Sequence, residues 1–284
     1  MCGIAGIIYK DGHHNVGQDM TRMLQSMKHR GPDSTGYALY APPTENVVLR
    51  YTTANTTTPR DFEFADRIRR NMEEAERRIN GLGAKIVDKK QETDYAYRLV
   101  LDYTGDLKKL ADQIEDIQDC EVLSLGHSLE IIKDLGDAET VCAQYHLEQF
   151  QGTHAIGHVR MATESDVDIS GAHPYWAYPF SDIAVVHNGQ LTNYFQWRRR
   201  LERSGHRFNS ECDSEIIAVY LAEKMSEGMG LEEAMQLSLD ELDGVFTYIC
   251  VTADALGVAK DEMAAKPLVL FEGENMIALA SEEM

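Results

Sequence analysis

Apolar residues fall along this chain in two different periods, and each period predicts an element type. Residues 2–9 (CGIAGIIY) form a continuous apolar run suited to a buried strand. From Val16 to Lys28, Val16, Met20, Met23, Leu24 and Met27 recur at helical spacing. A breaker loop, HRGPDSTG, separates this helix from two strand-like runs, GYALY and NVVLRY. After Phe150, THAIGHVRMAT, DIAVVHNG, VFTYICVT, ALGVAK, PLVLF and MIALAS read as short strands joined by Gly, Asp and Pro turns. Helices are expected at Asp213 to about Glu227 and Leu231 to Leu242. Many short strands with few amphipathic helices predict an α+β protein whose sheets pack face to face under a helical cover.

The stretch 55–150 has a different texture. Thr58, Pro59 and Asp61 look like a helix start, and Phe64, Ile68, Met72, Ala75 and Ile79 form one apolar stripe ending at Gly81. Then follow a strand (YAYRLVLDY), a helix with Leu107, Leu110, Ile114 and Ile117 on one face, a second strand (CEVLSL) and a helix (DAETVCAQYHLEQF). This charge-rich span reads as an inserted α/β subdomain at 55–150 within one domain over 1–284, with strands able to pair in parallel.

A net charge of −20 argues against nucleic acid as a partner, because phosphate binding needs clustered Lys and Arg. No apolar run approaches the roughly 18–20 residues of a membrane span, and the amino terminus has no basic-then-apolar secretion signal. The five cysteines are scattered without a Cys-x-x-Cys pair, which fits reduced thiols in the cytoplasm. His127 and His146 lack neighbours at metal-ligand spacing, so no metal is expected.

Four places offer chemistry. Cys2 follows the initiator methionine, so removal of Met1 would give one residue both a thiol and an α-amine with a pKa of about 7.7–8.0, suited to take the thiol proton; a chance Met-Cys start is the plain alternative. Arg160, at the end of a strand in GHVRMAT, suits bidentate carboxylate recognition, or else a surface ion pair. Asn188-Gly189 at the end of DIAVVHNG is either a hairpin turn or a pair of oxyanion donors. Asp213 begins an apolar helical pattern, so it either caps that helix or pairs with a substrate ammonium. Taken together, a carboxylate binder, an ammonium binder, a thiol and oxyanion donors describe an amino acid with an electrophilic side-chain carbonyl, and L-glutamine is the obvious candidate.

These residues lie in four of eight ordered motifs: Cys2-Gly3-Ile4, HRGPDS (29–34), GHVRMAT (157–163), GAHP (171–174), VVHNG (185–189), CDSE (212–215), AAKPL (264–268) and ALASEE (278–283). In this set the chain resembles the class II glutamine amidotransferases, which are amino-terminal-nucleophile hydrolases. The resemblance implies a four-layer αββα sandwich and a Cys2 thiol that attacks the glutamine amide once Met1 is gone. It implies that Asn188 and Gly189 hold the oxyanion, that Arg160 and Asp213 grip the substrate, and that Thr163 and His173 line its pocket. His173, before a proline, reads equally as a packed loop residue.

Met161 and Glu164 stand where the sugar-phosphate and purine branches usually have Trp and His. RMATES followed by GAHP, with a long insertion before it, is more similar to the stand-alone amidotransferase subunits of glutamate synthase and N-methylglutamate synthase complexes. That likeness implies no cofactor in this chain, with flavin and iron–sulfur clusters on partner synthase subunits that receive the ammonia. The alternatives are a non-catalytic glutamine-binding regulatory subunit of the same fold, and a hydrolase acting on another amide.

Overall fold

The computed structural model describes residues 2–55, 58–161, 169 and 171–283. The chain begins with β1 (Gly3–Tyr9), α1 (Val16–Ser26), β2 (Ser34–Tyr40) and β3 (Val47–Thr52). Next come α2 (Phe64–Gly81), β4 (Lys85–Gln91), β5 (Ala96–Asp102), α3 (Leu107–Glu115) and β6 (Glu121–Gly126). Then follow β7 (Leu129–Leu135), α4 (Ala138–Tyr145), β8 (His154–Arg160), β9 (Tyr175–Trp176) and β10 (Ala184–Leu191). The last third holds α5 (Tyr194–Arg203), α6 (Asp213–Ser226), α7 (Leu231–Glu241) and β11 (Gly244–Val251). It closes with β12 (Leu256–Lys260), β13 (Val269–Glu272) and β14 (Met276–Ala280).

Two sheets form the centre. A six-stranded sheet runs β13-β14-β1-β8-β2-β7 and a four-stranded sheet runs β12-β11-β10-β9, both antiparallel throughout. Strand alternation gives each sheet one face for its partner. Ile4, Ile156, Ala184, Val186, Ile249 and Val251 share one buried cluster between them. Tyr40 crosses this interface, its hydroxyl donating to the Val251 carbonyl at 3.0 Å. The outer face of the larger sheet lies under α1, whose Met20 and Leu24 pack over Gly157. The outer face of the smaller sheet lies under α5, α6 and α7 through Trp197, Leu201, Ile216, Tyr220 and Met235. The result is the four-layer αββα sandwich.

α6 is buried nearly all round, from Ser214 to Ala222, because neighbours cover it on more than the sheet side. α1 has the one-sided stripe its spacing predicts, and the Asn15 side chain caps it by accepting the Gln18 N–H at 3.1 Å.

A third antiparallel sheet, β4-β5-β3-β6, carries α2 and α3. Parallel pairing does not occur in it: β5 and β6 run the same way but are separated by β3, to which each is antiparallel. The span 55–150 is shared between sheets, since β7 joins β2 in the six-stranded sheet while β3, from before that span, is central to the third. α2 starts at Phe64 and not near Thr58, because Thr58 is engaged in a local turn. Its hydroxyl accepts the Asn55 N–H at 2.9 Å and its own N–H donates to the Asn55 side chain.

An ion network ties the third sheet to the six-stranded one. Glu130 of β7 receives Arg50 of β3 at 2.7 Å and Arg98 of β5 at 2.8 Å, and Arg50 also pairs with Glu92. Burial alone would push the Glu130 carboxyl up, but the two guanidinium groups outweigh it and hold it down at about 2. Replacing Glu130 with Ala removes the buried carboxylate shared by Arg50 and Arg98, leaving Arg50 with Glu92 alone, and should destabilise the protein by about 2–4 kcal/mol, read from urea unfolding at pH 7. The folded carboxyl lies below its unfolded value of about 4.3, so its stabilisation is complete above that pH and is lost as pH falls toward 2. The gap between wild type and Glu130→Ala should therefore narrow in acid, and a gap unchanged between pH 6 and pH 3 would contradict this account.

Candidate active site

The site forms where β1, β8, β10 and the start of α6 converge. Cys2 precedes β1, and alternation places it on the side of Ile4 and Gly6, whose neighbours include Ile249 of the second sheet. It is a free, half-buried cysteine. Its carbonyl is held from two directions: Arg30 donates Nε at 3.3 Å and Asn188 donates Nδ2 at 3.1 Å. Arg30 in turn pairs with Glu282 at 2.9 Å, and His29 reaches the same carboxylate at 3.1 Å. Ser281 receives the Ile4 N–H at 2.9 Å and donates its own N–H to the Ile4 carbonyl at 3.0 Å. Arg30, Ser281 and Glu282 thus clamp the amino terminus. They lie in the HRGPDS and ALASEE motifs, but nothing in the spacing of either motif said that they meet.

Asn188 and Gly189 are strand residues. β10 continues to Leu191 and pairs with β11 over its whole length, so the hairpin alternative is replaced by an extended segment. Gly189 has φ +156°, and a Cβ there would stand 2.2 Å from the Val245 carbonyl oxygen and 2.8 Å from His187 Nε2. Only glycine fits. Asn188 is buried and bonded to Cys2 through one amide proton, which leaves the second for another acceptor.

Asp213 does not cap its own helix. The N-cap is Cys212, which makes no side-chain cap bond, and Asp213 occupies the first turn. Its Oδ2 accepts the Leu191 N–H at 2.7 Å and its Oδ1 lies 3.6 Å from His187 Nδ1. Burial alone would raise its carboxyl, yet hydrogen bonding and charge from His187, with the Leu191 N–H, hold it below the ordinary aspartate range. The carboxylate is therefore anionic at neutral pH.

Arg160 ends β8, opposite Ser34 of β2. Gly31 lets the HRGPDS loop close over it: a Cβ on Gly31 would come within 2.4 Å of the Arg160 carbonyl carbon. Its guanidinium packs beside Gly171, whose added Cβ would be 3.0 Å from Nη1. Thr163 and Glu164 lie outside the described residues.

His173 is buried in a row of imidazoles. His158 crosses it edge-on at 4.0 Å between ring centroids and His187 lies at 6.4 Å. Its Nε2 is 3.5 Å from Cys212 Sγ. Burial, then the neighbouring His158 and His187, push its pKa well below the usual histidine range. Burial likewise takes His158 down to about 3. Both rings are neutral at pH 7 and too weakly basic to take a proton there. Period-two alternation could have found His158, since it shares the inner face of β8 with Arg160. Among the described residues no group of three or more His, Cys, Asp or Glu could hold a metal ion, and no helix is long and apolar enough to cross a membrane.

A family model described as a glutamine amidotransferase domain matches residues 158–284. The chain is 42% identical over its whole length to a protein of Methanothermobacter thermautotrophicus described as a candidate glutamine amidotransferase, spanning 92% of that relative. It is 36% identical to the glutamine amidotransferase-like protein GlxB of Rhizobium meliloti, over 99% of this chain and 89% of the relative. A glutamine–fructose-6-phosphate aminotransferase of M. thermautotrophicus matches at 36% over 54% of this chain and only 26% of its own length. Among solved structures, the glutamine phosphoribosylpyrophosphate amidotransferase of B. subtilis superposes with a TM-score of 0.60 at 20% identity. That match covers 99% of this chain and 42% of the other, and it bears on the fold alone.

Proposed function

Because this chain belongs to the glutamine amidotransferases of the amino-terminal-nucleophile type, we propose that it hydrolyses L-glutamine through Cys2 and delivers the ammonia to a synthase subunit of glutamate-synthase type. The observation that carries the reading is the Asn188 Nδ2 to Cys2 carbonyl contact at 3.1 Å, which joins residues 186 positions apart on facing sheets. It brings the only thiol that can share a residue with an α-amine beside an Asn-Gly pair able to donate to an oxyanion.

In the mature chain the Cys2 α-amine takes the thiol proton, a role His158 and His173 are too weakly basic to fill. The thiolate adds to the side-chain carbonyl of glutamine, and the second Asn188 amide proton and the Gly189 N–H stabilise the oxyanion. The protonated amine returns its proton to the departing nitrogen, the C–N bond breaks, and ammonia leaves a glutamyl thioester. Water, deprotonated by the same amine, cleaves the thioester to glutamate and restores the thiol. Arg160 holds the substrate carboxylate and the anionic Asp213 its ammonium, with His173 lining the pocket.

The acceptor half of the proposal is supported by the relatives. The two that align nearly end to end are little longer than this chain, whereas the aminotransferase is far longer. On this reading the acceptor chemistry, with the flavin and iron–sulfur clusters that the glutamate-synthase likeness implies, is placed on a partner polypeptide.

The purified chain should release glutamate and ammonia from L-glutamine in equal amounts, and intact mass should show the amino terminus without Met1. A chain that retains Met1 and does not turn over glutamine would be a binding subunit instead. Recovery of a flavin-containing synthase subunit with the native protein tests the acceptor.

A further inference from the structure

Two loops border the pocket, and α3 of the third sheet holds both from outside. The loop at 171–180 delivers His173 and then Tyr178. The loop at 204–212 leads into Cys212 and Asp213. Asp112 of α3 accepts the Tyr178 hydroxyl and lies 3.3 Å from Arg207 Nη2, while the Arg207 guanidinium stacks 4.6 Å over the Tyr178 ring. One turn on, the buried Glu115 carboxylate pairs with Arg207 and accepts Asn209 Nδ2 at 2.7 Å and the Val122 N–H at 3.1 Å.

From Asn209 the contacts run without a gap into the site. The Asn209 and Ser210 N–H groups each donate to Glu215 of α6 at 2.9 Å. The Ser210 hydroxyl accepts the Cys212 N–H at 3.1 Å, and Cys212 Sγ meets His173 Nε2 at 3.5 Å. We propose that Glu115 is a positioning residue for the glutamine pocket: by fixing Arg207 and Asn209 it sets where Cys212 and Asp213 stand, and so how tightly the substrate ammonium is held.

The inference rests on the glutaminase reading above for its ligand. If Glu115 served only to glue α3 to the sandwich, an apolar side chain of similar size would serve as well or better, since burying a charged pair is costly. A fully bonded buried carboxylate fixes direction as well as contact. Burial also pushes its carboxyl up to about 7 against the charge of Arg207, and Gln keeps the acceptor for Asn209 and Val122 while giving up the one that faces Arg207.

The test uses the full chain. Glu115→Ala should raise KM for L-glutamine by about tenfold and leave kcat within about twofold. Glu115→Gln, whose amide oxygen can still accept from Asn209 and Val122, should stay within about threefold of wild-type KM. Ile79→Val, a core change in α2, should lower Tm and leave KM unchanged. KM unaltered in Glu115→Ala, or Glu115→Gln indistinguishable from Glu115→Ala, overturns the proposal. Calorimetric glutamine binding to Cys2→Ser, with and without Glu115→Ala, reads the same effect without turnover. A wild type that binds but does not hydrolyse glutamine thus sinks the glutaminase reading, while the binding shift still decides Glu115.

Discussion

Cys2→Ala should lower glutamine hydrolysis by about 10⁴-fold or more, with the protein still folded and still binding glutamine. Losing a nucleophile removes the covalent route altogether, and losses of that size follow when a catalytic unit is broken at its attacking atom. The change is small for the fold: Cys2 precedes β1, and the contacts that anchor it use its backbone carbonyl and the Ile4 backbone, which Ala retains. In a complex with the proposed synthase partner, glutamine-dependent synthesis should fall with hydrolysis while synthesis from added ammonia survives. Glutamine hydrolysis unchanged in Cys2→Ala would remove the thioester from the mechanism, whatever the family.

Asn188→Ala should cost about 10²–10³ in kcat, equivalent to about 2.7–4 kcal/mol of transition-state stabilisation, with KM for glutamine nearly unchanged. In the proposed mechanism the amide of Asn188 has two tasks: one proton holds the Cys2 carbonyl and the other would serve the oxyanion. Asn188→Asp separates the donor from the shape. It has nearly the same size but no N–H to give, and at neutral pH it puts a negative charge where negative charge must develop. Asn188→Asp should therefore be at least as slow as Asn188→Ala. An Asp variant with near-wild-type kcat would place the oxyanion elsewhere. Gly189 offers no comparable series, because the Val245 carbonyl blocks any side chain there.

The candidate site was legible to a different extent at each residue. Cys2, Arg160, Asn188, Gly189 and Asp213 stand out as candidates in the sequence because their residue types answer separate parts of one ligand. The alternatives at Asn188-Gly189 and Asp213 were not decidable locally, since Asn-Gly favours a hairpin and Asp a cap in the absence of partners. Pairing with β11 carries β10 through to Leu191, and the Leu191 N–H draws Asp213 away from its own helix end. The clamp of Arg30, Ser281 and Glu282 has no signature in the sequence because two of its members lie some 250 positions from the third, with no local pattern to link them.

The fold divided in the same way. Local periodicity located α1, α3, α6, α7 and most strands, because amphipathic spacing is a property of neighbours in the chain. It missed β4, an edge strand with KIVDKKQ facing solvent, which has no buried face to leave a pattern. It also missed β7, whose Glu130, Lys133 and Asp134 look like surface residues until Arg50, Arg98, Glu121 and two tyrosine hydroxyls are brought to them.

By itself the sequence determined the kinds of element, the ordered motifs and the chemistry that Cys2, Arg160, Asn188 and Asp213 could share. Only the tertiary structure decided that β3 and β7 exchange sheets across the supposed insert, that Asp213 answers to β10, and that α3 grips the loops beside the pocket. The reason is physical. Residue type and spacing act over a few positions, whereas buried charge and backbone donors must find partners wherever the packed sheets bring them.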